Sequence, residues 1–209
     1  MPVRKNAAFS FVRFDERGQS MGYVNVNVHF TTDVKGKTIS TAEAQYMTRK
    51  RILIGTTPQY YSADSLFFYV AARQWVVDVK NTEDEMRFPE SPSLWLNYPL
   101  QPHPGDSLRE ASFSDTRPGP NGSSTMNYRI TNRHVVAADS IVLPKIGKLA
   151  AWKVSADMLA QRPDLENGRF YRYATVLEWY VPRLGVVQHV RNYTSGGYYK
   201  LQLRGYKAP

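Results

Sequence analysis

From Arg169 to Lys207 the chain reads as three strands separated by two turns, and this pattern constrains everything upstream. Arg169–Val181 is rich in β-branched and aromatic residues. Pro182–Gly185 interrupts it, Val186–Val190 resumes it, Thr194–Gly197 interrupts again, and Tyr198–Leu203 completes the set. Runs of this composition suit a pleated surface with one buried face. Connections of four or five residues join antiparallel neighbours. A three-stranded meander becomes stable once one face is covered, so the rest of the chain is expected to supply the cover.

Upstream, the same strand-and-turn pattern recurs. Ala8–Phe14 is a strand candidate, and Asp15–Gly18 follows as a turn. Val24, Val26, Val28 and Phe30 alternate with Asn25, Asn27 and His29, a period of two that predicts one apolar and one polar face. Lys35–Lys37 is a further turn. Over 40–54, Ser40 and Glu43 resemble a helix capping box, but Ala42, Ala44, Tyr46, Thr48, Ile52 and Ile54 share one parity, which favours a single strand. Asp64–Tyr69 and Trp75–Val79 are two more apolar runs. Prolines 89, 92, 99, 102 and 104 each remove a backbone donor and restrict the preceding residue. Residues 88–104 are therefore expected to run extended and irregular across an open side of the sheet. Met126–Val136, Ser140–Leu143 and Leu149–Met158 are the remaining strands before the meander. Helical periodicity is weak and turn signals are frequent, which predicts an all-β fold. The expectation is one domain over 1–209, a single antiparallel, strongly curved sheet forming a half-barrel or incomplete barrel.

Composition narrows the functional classes. Of 209 residues, 42% are hydrophobic, enough for a sizeable core. The absence of cysteine excludes disulfides, thiolate metal sites and cysteine nucleophiles. The formal net charge of +9 invites a nucleic-acid reading, but no RNA- or DNA-binding fingerprint accompanies it, and nucleic acid is not expected. No apolar run approaches the length of a transmembrane segment. Residues 1–6 are basic without a following apolar core, so no signal peptide is expected in this chain.

The order Asn132-Arg133-His134-Val135, Ile141-Val142-Leu143-Pro144, Gly147, Ala151-Trp152-Lys153-Val154 and Glu178-Trp179-Tyr180-Val181-Pro182-Arg183-Leu184-Gly185-Val186-Val187 resembles the TapB-like family, a domain-of-unknown-function family of bacterial envelope proteins. Phe14–Gly18 and Gly105–Leu108 extend the likeness into the N-terminal half. Pro144–Gly147 carries one residue more than the family's usual turn. The resemblance implies an exported, largely antiparallel β protein of the periplasm or cell envelope, of unassigned activity, whose usual leader is missing here.

Candidate chemistry is sparse. His29, His103, His134 and His189 show no metal-ligand spacing, and His29 and His189 are expected on water-facing strand positions. There is no nucleophile elbow and no phosphate loop. Glu178 beside Trp179 could be a desolvated acid, but a strand Glu more often faces water or pairs across the sheet with an Arg such as Arg191. No catalytic residue, metal or cofactor is assigned. The aromatic load is the remaining clue. Phe67, Tyr69, Trp75, Trp95, Trp152 and Trp179 could simply be core. A curved sheet could instead wrap them around an apolar cavity, and these six are the candidate ligand-binding residues. The reading is a non-enzymatic module that binds a lipid or another apolar small molecule. The alternatives are a scaffold docking to another envelope protein through a strand edge, and an enzyme using Glu178.

Overall fold

A computed structural model of the chain describes residues 4–71, 95–119, 122–162, 168–182 and 184–208. Its strands are β1 (Ala8–Phe14), β2 (Ser20–Val34), β3 (Lys37–Met47), β4 (Leu53–Ala63), β5 (Phe67–Ala71), β6 (Trp95–Pro99), β7 (Ala111–Gly119), β8 (Gly122–Leu143), β9 (Gly147–Gln161), β10 (Tyr171–Val181), β11 (Gly185–Tyr193) and β12 (Tyr198–Lys207). No helix occurs among the described residues. All twelve strands lie in one antiparallel sheet in the order β6-β5-β4-β3-β2-β1-β12-β11-β10-β9-β8-β7.

That order is two meanders joined by pairing the first strand with the last. It also forces curvature. Laid flat, strands spaced ~4.8 Å apart would put β6 and β7 about 50 Å from each other. The residues between those strands, 100–110, would reach only about 40 Å even if fully extended. The sheet therefore curls until its two ends approach, giving a nearly closed barrel with an unsealed seam between β6 and β7.

Residues 100–110 lie along that seam. Gly105 N donates to Val135 O at 2.8 Å, Leu108 N to Arg133 O at 2.8 Å, and Val135 N to Asp106 O at 2.9 Å. β8 can receive them because β7 pairs with it only over Gly122–Ile130, which leaves the same edge of residues 131–143 open. Arg133, itself buried, donates from Nη1 to Arg109 O at 2.8 Å and to Asn97 O at 3.3 Å. One guanidinium thus ties the edge strand β6 to the segment that leads into β7.

The core is the inner face of the curl. Val24, Val26 and Val28 are buried as their alternation predicts. Phe30 is not. A bulge between Val28 and Phe30 reverses the alternation, and Phe30 is 55% exposed. The run over 40–54 is a hairpin rather than one strand. Thr48 N bonds to Ile52 O at 2.9 Å and Arg51 takes a φ of 63°, so the chain turns back. Ile52 sits on that turn and is exposed. β4, which follows, went unread because Gly55 and Pro58 dilute its pattern. Met126–Val136 and Ser140–Leu143 are parts of one strand, β8, bent at its bulges. Of the proline-rich segment, Trp95–Pro99 is a ladder strand paired with β5; residues 88–94 and the run Trp75–Val79 lie outside the described residues.

Candidate functional site

Inside the curl is a cavity of about 140 Å³. Its walls come from both meanders. β1 contributes Phe9 and Phe11, β2 Val24 and Val26, β3 Ala44 and Tyr46, β5 Phe68 and Val70, and β12 Tyr199 and Leu201. These are the inward positions of alternating strands, so the apolar lining follows from the period of two. The opposite wall is polar. Tyr98, Glu178, His189 and Arg191 face the same space, and Gln59 and Tyr61 of β4 also line it.

Tyr98, Glu178 and His189 form a connected chain. Tyr98 Oη donates to Glu178 Oε2 at 2.7 Å. Glu178 Oε1 lies 3.1 Å from His189 Nδ1. Glu178 is 1% exposed and His189 7%. Two expectations are corrected here. His189 faces the interior, not water. Glu178 pairs with His189, not with Arg191. His189 faces inward on the parity it shares with Val187 and Arg191, and one bulge sets its partner: Val181 pairs with Gly185 and Tyr180 with Val186, but a register shift between Trp179 and Tyr180 then sets Glu178 against His189 and Val176 against Arg191. Counting back from the turn without that bulge would have set Glu178 against Gln188.

Aromatic rings hold this wall in place. Tyr98 stacks on Tyr180 with centroids 5.1 Å apart, and the Arg133 guanidinium lies 4.9 Å from the Tyr98 ring. Tyr61 stacks on Phe68 at 5.9 Å. Arg191 Nη1 donates to Tyr193 Oη at 3.3 Å, and its guanidinium lies 5.6 Å from the Tyr199 ring. Burial pushes the Tyr46 phenol well above its ordinary pKa, with Tyr199 adding to the effect. Burial alone does the same to Tyr180. Both phenols therefore stay neutral over any ordinary pH range.

The geometry also bears on catalysis. Glu178 is the single carboxylate in the lining, and both of its oxygens are engaged. A paired-carboxylate reaction needs a second acid at a defined separation, and no described lining residue supplies one. Among the described residues no three His, Asp or Glu side chains gather as a metal site.

The six aromatic candidates are placed differently. Phe67 and Tyr69 flank Phe68 on β5 and take the outer face, their rings 6.0 Å apart. Trp95 pairs with Ala71 at the sheet edge. Trp179 is on the outer face, donating from Nε1 to Asp139 Oδ2 at 2.9 Å with Lys153 over its ring at 5.7 Å. Trp152 packs against a small cluster of Leu108, Val135 and Val154 under the seam segment. Trp75 lies outside the described residues. The cavity instead takes Phe68, Tyr98 and Tyr199; the unbroken apolar run Leu66–Val70 gives no parity signal that would single out Phe68.

No known family model matches the chain, and no curated protein sequence matches it. Two solved structures share the fold over nearly its full length. One, from Parabacteroides distasonis, is described as a "putative lipoprotein"; it is 15% identical with a TM-score of 0.79, covering 99% of this chain and 97% of that one. The other, from Bacteroides fragilis, is described as a "putative exported protein with YmcC-like fold"; it is 14% identical with a TM-score of 0.76, covering 99% and 98%. At these identities the likeness establishes the fold.

Proposed function

We propose that this chain is an exported envelope protein that holds the apolar part of a small molecule inside the barrel, with the molecule's polar end against Tyr98, Glu178, His189 and Arg191. The observation that carries this reading is the cavity itself: mostly apolar walls with polar groups gathered on one side, the usual construction of a binding pocket. A cavity of about 150 Å³ takes up benzene, so one of about 140 Å³ suits a single ring or a short alkyl segment, not a full lipid tail. The role is binding rather than catalysis. The envelope assignment draws on the described lipoprotein and exported proteins of the same fold, and on the resemblance to the TapB-like family in residues 132–187.

The test has two arms. Native mass spectrometry of protein purified gently from its host should show a reproducible adduct, absent from the Ala44→Leu variant, which fills the cavity from β3. Hexanol and benzyl alcohol should each raise the Tm of the apo protein, because a ligand that binds only the folded state stabilises it, and Ala44→Leu or Leu201→Phe should abolish the rise. A bare apo mass together with no Tm response to either alcohol overturns the reading.

A further inference from the structure

The outer face of the sheet carries a second concavity of about 540 Å³, where β1, β2 and β12 meet the β3–β4 and β8–β9 turns. Its charged residues are Arg51, Lys145 and Arg204, and no acidic side chain lines it. Tyr23 stands between two of them. The Arg204 guanidinium lies 5.2 Å from the Tyr23 ring centroid and that of Arg51 5.9 Å.

Irregular backbone places all three cations. Arg51 has φ 63° and Lys145 φ 70°, a region that glycine and asparagine occupy readily and long side chains seldom do. Among the described residues, three cationic side chains stand at positive φ, Lys35, Arg51 and Lys145, and two of the three line this groove. Arg204 arrives by a different device. Ser10 pairs with Gly205 while Phe11 pairs with Leu203, so the intervening Arg204 is the extra residue of a bulge. A bulge re-aims a side chain, and here both Arg204 and Gly205 open on the groove beside Ser10. A Cβ at Gly205 would meet no atom within 4 Å, so the missing side chain leaves room on the floor of the concavity.

Guanidinium groups stacked on a ring keep their edge N–H donors in a planar fork that matches oxyanion geometry. Backbone held in a disfavoured conformation tends to mark a functional position. We infer that this groove is a binding site for a phosphate-class oxyanion, bridged by Arg51 and Arg204 with Lys145 closing the third side. The oxyanion belongs either to a soluble phosphate or to an anionic lipid headgroup.

The probes are inorganic phosphate, followed by NMR shifts, and vesicles of phosphatidylcholine with or without phosphatidylglycerol, followed by cosedimentation. A response to inorganic phosphate without vesicle binding assigns the soluble source. Binding to phosphatidylglycerol vesicles that phosphate reverses assigns the headgroup. In either case Arg51→Gln/Arg204→Gln should weaken binding by about tenfold or more. Gly205→Ile, which keeps every charge and fills the floor, should weaken it comparably. Lys35→Gln/Lys37→Gln removes the same net charge elsewhere and should leave binding unchanged. The inference is overturned by silence toward both probes. It is equally overturned if the Lys35/Lys37 variant loses as much binding as the Arg51/Arg204 variant, since the protein's overall charge would then account for the binding.

Discussion

The inner cavity and the outer groove are built from the same strands. β1 gives Phe9 and Phe11 to the cavity and Ser10 to the groove; β12 gives Tyr199 and Leu201 to one and Arg204 with Gly205 to the other. Inside, regular alternation does the placing, and Tyr98, Glu178 and His189 are buried and joined in a chain. Outside, turns and a bulge do the placing, and the cations stay within reach of water. A strand with perfect alternation presents one face to each side and nothing more. Alternation puts Glu178 and His189 on the inner face, and the bulges decide what meets there, setting Glu178 against His189 inside and turning Arg204 onto the groove outside.

Phe67 and Phe68 give the sharpest test of that division, being adjacent in sequence and on opposite faces. Phe68 is buried, stacked on Tyr61 and packed on Tyr98. Phe68→Ala should cost about 3–5 kcal/mol, the range for a fully buried Phe. Phe67→Ala should cost about 1 kcal/mol or less, as for a half-exposed position. Urea unfolding of both variants checks this, and equal losses would mean that β5 does not divide inner from outer as described.

Arg133 tests the seam where the two faces meet. Arg133→Met keeps the length of the stem and removes the donors that reach Asn97 O and Arg109 O. Charge-assisted bonds to two carbonyls and a ring contact are lost, and a cost of about 2–3 kcal/mol is expected. Hydrogen exchange separates a seam effect from general loosening. The amides of Gly105 and Leu108, which bond to β8, should exchange faster in the variant, by a larger factor than those of the β2–β3 ladder. Uniform acceleration across both regions would remove the special role given to this guanidinium.

How much of this was legible in the sequence follows from the same contrast. The all-β class, the curved antiparallel sheet and the C-terminal meander were readable, because composition and turn residues act locally. Val24, Val26 and Val28 were placed correctly because that part of β2 is regular. The single strand over 40–54 was misread because Arg51, with no glycine beside it, makes a turn that carries no turn signature. His189 shares the inward parity of Val187 and Arg191, where a polar side chain gives no apolar signal, and the partner of Glu178 was not legible because a one-residue bulge carries no signature, yet moves every cross-strand partner beyond it. The joining of β1 to β12 is the least local feature of all. It depends on the two ends of the chain meeting, and nothing in either segment alone announces it.

Asp64 carries the smallest effect and tests whether the outer face can be altered without touching the cavity. It sits in the β4–β5 turn. Its Oδ1 accepts from Leu66 N at 2.9 Å and Phe67 N at 2.8 Å, and its Oδ2 from Tyr69 Oη at 3.0 Å. Burial by itself would raise this carboxyl; the two amides and the phenol outweigh it and hold the pKa below its ordinary 3.8. The sign follows directly. A carboxyl whose pKa is lower in the fold contributes stability above its unfolded value, and that contribution fades as pH falls through the folded value. Because Asp64 is only partly buried, solvent screening limits the contribution to about 1 kcal/mol or less. Asp64→Asn should therefore be slightly less stable than the parent at pH 7, and the gap should close as pH falls from 3.8 through the lower folded value, where the carboxyl becomes neutral like the amide. Tyr69 should titrate closer to an ordinary phenol in the variant, since the carboxylate contributes to raising it. The Tm response to hexanol should not change, because Asp64 and Tyr69 belong to the outer face and Phe68, one residue away, to the inner. A stability gap that persists at low pH would show that Asn fails to reproduce the turn's bonds, leaving the charge with no part in the difference.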